Sequence, residues 1–365
     1  MKLLIAADIF PPESGGPATY SVTLANEFVK QGIEVKIVSL NPDSDISKVN
    51  CPVYAVRFKN KLLRYKHYLW LLFKHARNVE VLYAMGPVNA GLPALFAARF
   101  WRKKFVVKVV GDYAWEQGQV LGIVSDSIDD FQAKQYPGKI GLLQRIERYV
   151  VKSTDLTIVP SKYLKSIVTG WGSLENKTHV IYNEVPFEPM EAIAHSGERW
   201  VVSVGRLVPW KGMETLIEAM VGVCKVIPEA KLKIIGDGPE MSNLKLKINS
   251  LQLENVIELT GNLSHSKTQK YIASADVFVL NSAYEGFSHV LVEAHNQGVP
   301  VIASRAGGNE EIVAGDALFE YNNKTEITEK ICRYSGLQKA GKKKHSFGTG
   351  LVPDTRKVLE QICRN

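Results

Sequence analysis

The stretch NSAYEGFSHVLVEAHNQGVPVIAS, from Asn281 to Ser304, places Glu285 just before an apparent helix and Glu293 inside it. A carboxylate accepts two hydrogen bonds well, so a pair of them along one helix suits a ligand rich in vicinal hydroxyls. Between them, the backbone amides of Phe287, Ser288 and His289 stand at the helix start, where unpaired N–H groups meet phosphate oxygens. Upstream, SVGRLVPWKGMETLIEAM puts Arg206 at the carboxyl end of a strand and Lys211 near the start of the next helix. Two cations so placed neutralise a diphosphate as it separates as a leaving group. Sugar, diphosphate and ribose would then be read along one helix. A second assignment stands beside this one: Glu285 as a helix-capping acid, Glu293 as a solvated helix residue and the cations as ordinary surface charge.

Glycines recur at the same kind of position. FPPESGGPATY sets Gly15 and Gly16 between a strand and a helix, SVGRL ends its strand at Gly205, and IIGDGPE carries Gly236 and Gly238 after a buried strand. SRAGGNEEIV repeats the order of strand, glycine turn and helix with Gly307, Gly308 and Glu311. Glycine there permits a tight turn and close approach of backbone to a ligand. None has the spacing of a dinucleotide fingerprint or a P-loop, and a simple turn explains each of them alone.

The elements that must position these residues alternate along the chain. Short apolar strands (KLLIAAD, EVKIVSL, CPVYAVRF, VEVLYAM, KFVVKVV, LTIVPS and HVIYN, then RWVVSVGRL, KLKIIGDG, VIELTG, VFVLNS, PVIAS and DALFE) are separated by helix-length periodic segments. That is the pattern of a parallel α/β fold. At 365 residues the chain exceeds what one hydrophobic core usually serves. NEVPFEPMEAIAHSGE breaks the periodicity for longer than an ordinary βα loop. The expected architecture is a Rossmann-like domain over 1–186, a linker over 187–198 and a second Rossmann-like domain over 199–348. A C-terminal amphipathic helix over 349–365 follows, free to pack on either domain, the first included. Two doubly wound domains of this kind can turn their carboxyl-end loops toward one central cleft.

Net charge is +8 and unevenly placed: between Arg57 and Lys108 lie twelve Lys or Arg against one acid, Glu80. Within that region RFKNKLLRYKHYLWLLFKHARN, residues 57–78, interleaves basic residues with Leu, Tyr, Trp and Phe, as in an interfacial helix that meets anionic lipid. A helix with one core face and one basic solvated face is the plainer reading. No nucleic-acid module surrounds the charge, so a nucleic-acid partner is not expected. The four cysteines lie far apart, which indicates neither a zinc site nor a disulfide framework. No stretch approaches the roughly 18 uninterrupted apolar residues of a spanning helix. The expected location is cytoplasmic, with peripheral contact on the inner face of the cell membrane as the variant that the basic stretch suggests.

Taken together, PPESGGPATY, GRLVPWKG, GDGPE, YEGFSHVLVEAHNQGVPVIAS and GGNEEIV resemble retaining glycosyltransferase family 4, over almost the full length. The resemblance implies the two-domain GT-B architecture, a nucleoside-diphosphate sugar as donor (GDP-, UDP- or ADP-hexose, mannose mildly preferred), no cofactor and no metal. By the same resemblance, Arg206 and Lys211 bind the donor diphosphate, Glu285 contacts hydroxyls of the transferred hexose and Glu293 holds the ribose. Gly16 lies near the diphosphate and the acceptor, and Asn262 and Leu263 lie near the base. Many relatives carry a histidine after a late strand of the first domain. Here VKVVGDYAWEQ offers Asp112, Tyr113, Trp115 and Glu116 instead. Asp112 is the best match to the vacant position and can orient a donor hydroxyl, while an acid packed under the loop is the competing reading. Tyr113, Trp115 and Gly15 would face the acceptor. The interdomain N-G-V of the family appears as Asn183, Glu184 and Val185, without its glycine.

The implied reaction moves a hexose to a hydroxyl of a glycan or a lipid-linked acceptor by front-face attack, with the carboxylates reading substrate and not acting as nucleophile and acid. Membrane-facing polysaccharide or glycolipid assembly would follow. A nucleotide-sugar epimerase or phosphorylase of the same fold, or a non-catalytic two-domain sugar-binding protein, are the alternatives. Oligomeric state is not legible.

Overall fold

The computed structural model describes residues 1–12, 16–185, 187–343 and 351–364. Gly15 lies outside them. The chain divides into two compact units, the first comprising residues up to Glu184 together with the C-terminal helix, the second beginning at Val185.

In the first unit the chain order is β1 (Lys2–Ala7), α1 (Gly16–Lys30), β2 (Glu34–Ser39), β3 (Val53–Ala55), α2 (Lys61–Ala76), β4 (Val81–Met85), α3 (Leu92–Phe100) and β5 (Lys104–Lys108). It continues with α4 (Tyr113–Val120), α5 (Ile128–Ala133), α6 (Gly138–Ser153), β6 (Leu156–Val159), α7 (Lys162–Gly170) and β7 (Thr178–Val180). The seven strands form one parallel sheet in the order β3-β2-β1-β4-β5-β6-β7. Helices cover both faces of such a sheet, which is why β4, VLYAM, is buried at every residue and reads as an unbroken apolar run. Strand order reverses between β1 and β4, and a crevice opens at the carboxyl ends of strands at such a point.

The second unit runs β8 (Arg199–Val204), α8 (Met213–Val226), β9 (Ala230–Ile235), α9 (Met241–Ser250), β10 (Ile257–Gly261), α10 (His265–Ser274), β11 (Val277–Leu280), α11 (His289–Asn296), β12 (Val301–Ser304), β13 (Leu318–Phe319) and α12 (Lys324–Tyr334). Its parallel sheet has the order β10-β9-β8-β11-β12-β13, with the reversal between β8 and β11. The expected α/β class of two doubly wound units is what the chain adopts, and each apolar segment read as a strand is one. GGNEEIV differs: Gly307–Glu311 is a 3-10 turn and not the start of an α-helix.

Residues 187–198 contain no helix or strand, yet they are fastened to the second unit. The Met190 N–H donates to Gln297 Oε1 at 3.1 Å, the Gln297 amide donates to the Glu188 carbonyl at 2.8 Å, and the Ile193 N–H donates to Ser274 Oγ at 2.7 Å. His195 stacks on Trp200 with ring centroids 4.5 Å apart. The final helix, α13 (Leu351–Arg364), belongs to the first unit. Leu351, Val352, Val358 and Leu359 recur on one helical face and enter the core beside Leu24 and Phe28 of α1 and Ile5, Tyr83 and Ile158 of the sheet.

Because Leu359 is fully buried in that core, Leu359→Ala is expected to destabilise the first unit by about 2–4 kcal/mol. Urea unfolding followed separately in each unit checks this, with the transition of the second unit unmoved.

Candidate active site

Four loops at the carboxyl edge of the second sheet pack on one another through backbone. After β8, the Leu207 N–H donates to the Asp237 carbonyl at 2.9 Å, and the Glu240 N–H donates back to the Leu207 carbonyl at 3.1 Å. A Cβ on Gly236 would lie 2.0 Å from the Gly205 carbonyl oxygen, and one on Gly238 would lie 2.3 Å from the Leu207 carbonyl oxygen. The need for glycine at both positions therefore follows from loop against loop, before any ligand is considered. Across the strand reversal, the Ala283 N–H donates to the Trp210 carbonyl at 2.7 Å, and the Gly308 N–H donates to the Glu285 carbonyl at 2.8 Å. The loops after β8, β11 and β12 thus form one scaffold.

That scaffold brings Lys211 and Glu285 together: Lys211 Nζ donates to Glu285 Oε1 in an ion pair whose side chains are 18% and 13% exposed. Ser282 Oγ donates to the same carboxylate oxygen at 2.8 Å. Ser282 is itself fixed by Ser304, whose hydroxyl accepts from the Ser282 N–H at 3.0 Å and donates to its carbonyl at 2.6 Å. Fully buried Asn281 holds the other loop. Its amide nitrogen donates to the Gly212 carbonyl at 2.8 Å and to Asn322 Oδ1 at 2.9 Å, and its carbonyl oxygen accepts from the Asn322 N–H at 3.0 Å. Gly212 has φ +55 and sits so close to Asn281 that a side chain there would collide with it. Arg206 is exposed and its guanidinium has no ion-pair partner among the described residues.

Sequence reasoning named Arg206, Lys211 and Glu285 but missed Asn281, Ser282, Ser304 and Asn322, which hold them. Apart from the bond from Ser282 to Glu285 three residues on, their partners lie 22 to 69 residues away, so spacing carries little sign of them.

Phe287 and Ser288 are buried and His289 half-buried at the start of α11, where Ser288 is the N-cap residue without a side-chain capping bond. Glu293 follows on the same helix beside His265 and Gln269 of α10. Burial pushes its carboxyl above the usual range, opposed by His265 and Gln269. Asn262 is exposed and Leu263 half-buried immediately after β10. Gly16 is the first residue of α1 in the other unit.

In the first unit Asp112 is 1% exposed and caps α4: Oδ1 accepts from the Trp115 N–H at 2.8 Å and Oδ2 from Gln132 Nε2 at 2.7 Å. Of the two readings given above, this geometry is that of the acid packed under the loop. Trp115 is also 1% exposed, and its indole N–H donates to the Asp126 carbonyl at 3.0 Å, so it faces the interior of the unit. Tyr113 is half-buried and lines a cavity. A second acid unnoticed in the sequence, Glu147 of α6, accepts from the Tyr113 N–H at 2.8 Å. Burial, and then the nearby Asp112, push its carboxyl well up, while burial pushes Asp112 up as well. Two buried acids thus share the first amides of one helix.

Glu147 binds its proton more tightly folded than unfolded. Its contribution is therefore greatest below the ordinary carboxylate range and is lost as pH rises above it. Glu147→Gln, which keeps an acceptor for the Tyr113 N–H, is expected to flatten the decline of stability as pH rises above the ordinary carboxylate range. Urea midpoints against pH test it, and parallel curves for both proteins would count against this assignment.

The model of Glycosyltransferase Family 4 matches residues 14–188, and that of Glycosyl transferases group 1 matches residues 188–348. The uncharacterized glycosyltransferase MJ1178 of Methanocaldococcus jannaschii is 34% identical over 191 residues, 50% of each chain, so the match spans half that relative's length. Alpha-monoglucosyldiacylglycerol synthase of Streptococcus pneumoniae is 22% identical over 327 residues, 83% of this chain and 71% of that protein. The solved structure of Anabaena Alr3699/HepE in complex with UDP matches with TM-score 0.70 at 19% identity, covering all of both chains, a likeness of fold.

Proposed function

We propose, from the premise that the chain belongs to glycosyltransferase family 4 and has its GT-B fold, that it moves a hexose from a nucleoside-diphosphate sugar to a hydroxyl of a glycan or lipid-linked acceptor, retaining the anomeric configuration. The observation that carries this reading is the Lys211–Glu285 pair at the strand reversal of the second unit, with exposed Arg206 on the same loop as the lysine.

Each group then has a role. The donor diphosphate lies against Arg206 and Lys211, which absorb the charge released as the glycosidic bond to phosphate breaks, so the protein's own cations do this work without a metal. Once phosphate oxygens share the Lys211 ammonium, Glu285 turns its acceptor capacity to hexose hydroxyls, still anchored by Ser282. Glu293 takes the ribose hydroxyls, and the backbone beside Asn262 and Leu263 takes the base. Gly205, Gly236 and Gly238 keep the loops low enough for the diphosphate to approach, and Phe287, Ser288 and His289 bring the start of α11 to it. In the first unit Gly16 and Tyr113 stand on the acceptor side. Asp112 acts through α4, whose first turn it fixes, and Trp115 supports that helix from inside.

Retention is assigned to front-face attack, in which a leaving phosphate oxygen receives the acceptor's proton. Glu285 is assigned to holding hexose hydroxyls and not to nucleophilic attack, its Oε1 being anchored by Ser282. The donor screen includes GDP-mannose and UDP-glucose, the complex of HepE with UDP being a property of that neighbour. Donor consumption only in the presence of acceptor separates a transferase from an epimerase, and turnover separates it from a binding protein.

A lipid-linked acceptor is favoured by one surface of the first unit. Leu62, Leu63, Leu69 and Trp70 of α2 and Phe96 and Phe100 of α3 are exposed amid Lys61, Lys66, Lys74 and Arg99. Lys74 lies over the Trp70 ring at 4.8 Å. Apolar rings among cations suit an anionic bilayer surface, where each nearby cation adds roughly 1 kcal/mol. No described helix is long and apolar enough to cross a membrane.

Transfer assayed with a chelator present is expected to fall about 100- to 1,000-fold in Arg206→Ala and in Lys211→Ala, and at least about 100-fold in Glu285→Ala. Undiminished turnover in the two cation variants would end the diphosphate assignment. Vesicles containing phosphatidylglycerol are expected to sediment the protein and neutral phosphatidylcholine vesicles are not. The paired change Lys66→Glu with Trp70→Ala should weaken that association several-fold, and equal binding to both vesicle types would remove the membrane reading.

A further inference from the structure

The loop that carries Lys211 is held at three backbone carbonyls by donors from other loops of the second unit. The Tyr321 hydroxyl donates to the Pro209 carbonyl at 3.4 Å, the Ala283 N–H to the Trp210 carbonyl at 2.7 Å, and Asn281 Nδ2 to the Gly212 carbonyl at 2.8 Å. Two of these contacts lead to one place, the turn between β13 and α12, where Tyr321 stands and Asn322 pairs with Asn281. We propose that this turn is a clamp on the cation site, and that Asn322 is a positioning residue that sets where Lys211 meets the donor diphosphate. The inference rests on the transferase reading and adds to it a residue remote in sequence from the lysine it serves.

Asn322 has a backbone conformation that its surroundings must enforce. Its φ of +59 is left-handed, a region that asparagine tolerates better than most residues other than glycine. Residues held there against their preference gather at functional sites. What holds this one is a reciprocal pair: Asn281 Nδ2 donates to Asn322 Oδ1 at 2.9 Å, and the Asn322 N–H donates to Asn281 Oδ1 at 3.0 Å. Asn281 is fully buried, so losing a partner leaves its amide unsatisfied away from water. Gly212, next to the lysine, lies so close that a Cβ there would stand 2.8 Å from Asn322 Oδ1.

The turn has the rigidity that a clamp needs. Asn323 is the N-cap of α12: its side-chain oxygen accepts from the Glu326 N–H at 3.2 Å, while the Glu326 carboxylate accepts from Asn323 Nδ2 at 2.7 Å and from the Glu320 N–H at 2.9 Å. Reciprocal capping of this kind fixes the entry of a chain into its helix. The helix is fixed in turn, Thr328 Oγ1 donating to the Ala219 carbonyl of α8 at 3.2 Å. Lys211 itself ends a short 3-10 turn, Pro209–Lys211, and its N–H donates to the Val208 carbonyl at 3.0 Å. Hydrogen-bond geometry in such turns is poorer than in an α-helix, so the place of the ammonium depends on where the neighbouring carbonyls are held. A misplacement of about 1 Å caused away from the chemistry can weaken a site by up to about 100-fold.

The test uses the full chain and two readouts. Asn322 is exposed, so Asn322→Gly removes its side chain without opening the core and keeps the left-handed backbone. Asn322→Asp keeps an acceptor for Asn281. Acetylation of Lys211 by acetic anhydride, read by peptide mass spectrometry, is expected to run several-fold faster in Asn322→Gly and near the original rate in Asn322→Asp. Lys233, paired with Glu258 at 2.9 Å on the other side of the sheet reversal, should react equally in all three proteins. Calorimetry is expected to show whichever of UDP, GDP and ADP binds held about tenfold more weakly by Asn322→Gly. An unchanged acetylation rate at Lys211, or a rise shared by Lys233, overturns the proposal, and so does nucleotide affinity lost in Lys211→Ala but kept in Asn322→Gly. Faster acetylation with no nucleotide bound, or with affinity unmoved in both variants, strikes the diphosphate reading and leaves the clamp standing, so the two failures are distinguishable.

Discussion

The contact between Lys211 and Glu285 constrains the rest of the second unit. Two charges removed from most of the solvent need each other, and a lone member would be left with uncompensated desolvation. They come from loops after β8 and β11, which neighbour each other only because strand order reverses there. Everything around them keeps those loops still. Asn281 ties Gly212 to Asn322, Ser304 ties β12 to Ser282, and the Glu285 carbonyl receives the Gly308 amide. On the proposed function, a donor arriving at such a pair exchanges one set of charge-assisted hydrogen bonds for another. The cost of dehydrating the lysine and the carboxylate has been met largely during folding, which is the physical content of preorganisation.

The first unit achieves rigidity by different means. Where the second unit pairs opposite charges, the first stacks two acids, Asp112 and Glu147, beneath the opening turn of α4. The positive end of the helix dipole and the amides of Tyr113, Ala114 and Trp115 favour their charged forms, while burial disfavours them, and burial is the larger effect. Lys108 repeats the theme with the other sign. Buried at the end of β5, it donates to Asn183 at 2.6 Å and lies 3.3 Å from the centre of the Tyr20 ring, its ammonium pushed well below the usual lysine range by burial. These groups fix loop geometry at the carboxyl edge of the first sheet.

How much could be read in the sequence follows from which contacts are local. Strands of a parallel sheet covered on both faces are continuous apolar runs, so all of them, and with them the α/β class, were visible. Arg206, Lys211 and Glu285 were visible because a βα loop at the carboxyl edge is where a short motif places its side chains. The pairing of Lys211 with Glu285 was not, since it requires knowing that β8 and β11 are neighbours. Asp112 illustrates a harder limit. GDYAW reads alike whether the acid faces a substrate or caps a helix, and the cap is completed by Gln132 and by the packing of α6, both distant in sequence. The same holds for Gly236 and Gly238, whose neighbours are the carbonyls of Gly205 and Leu207. Tail residues 351–364 showed their amphipathic spacing but not the core they complete.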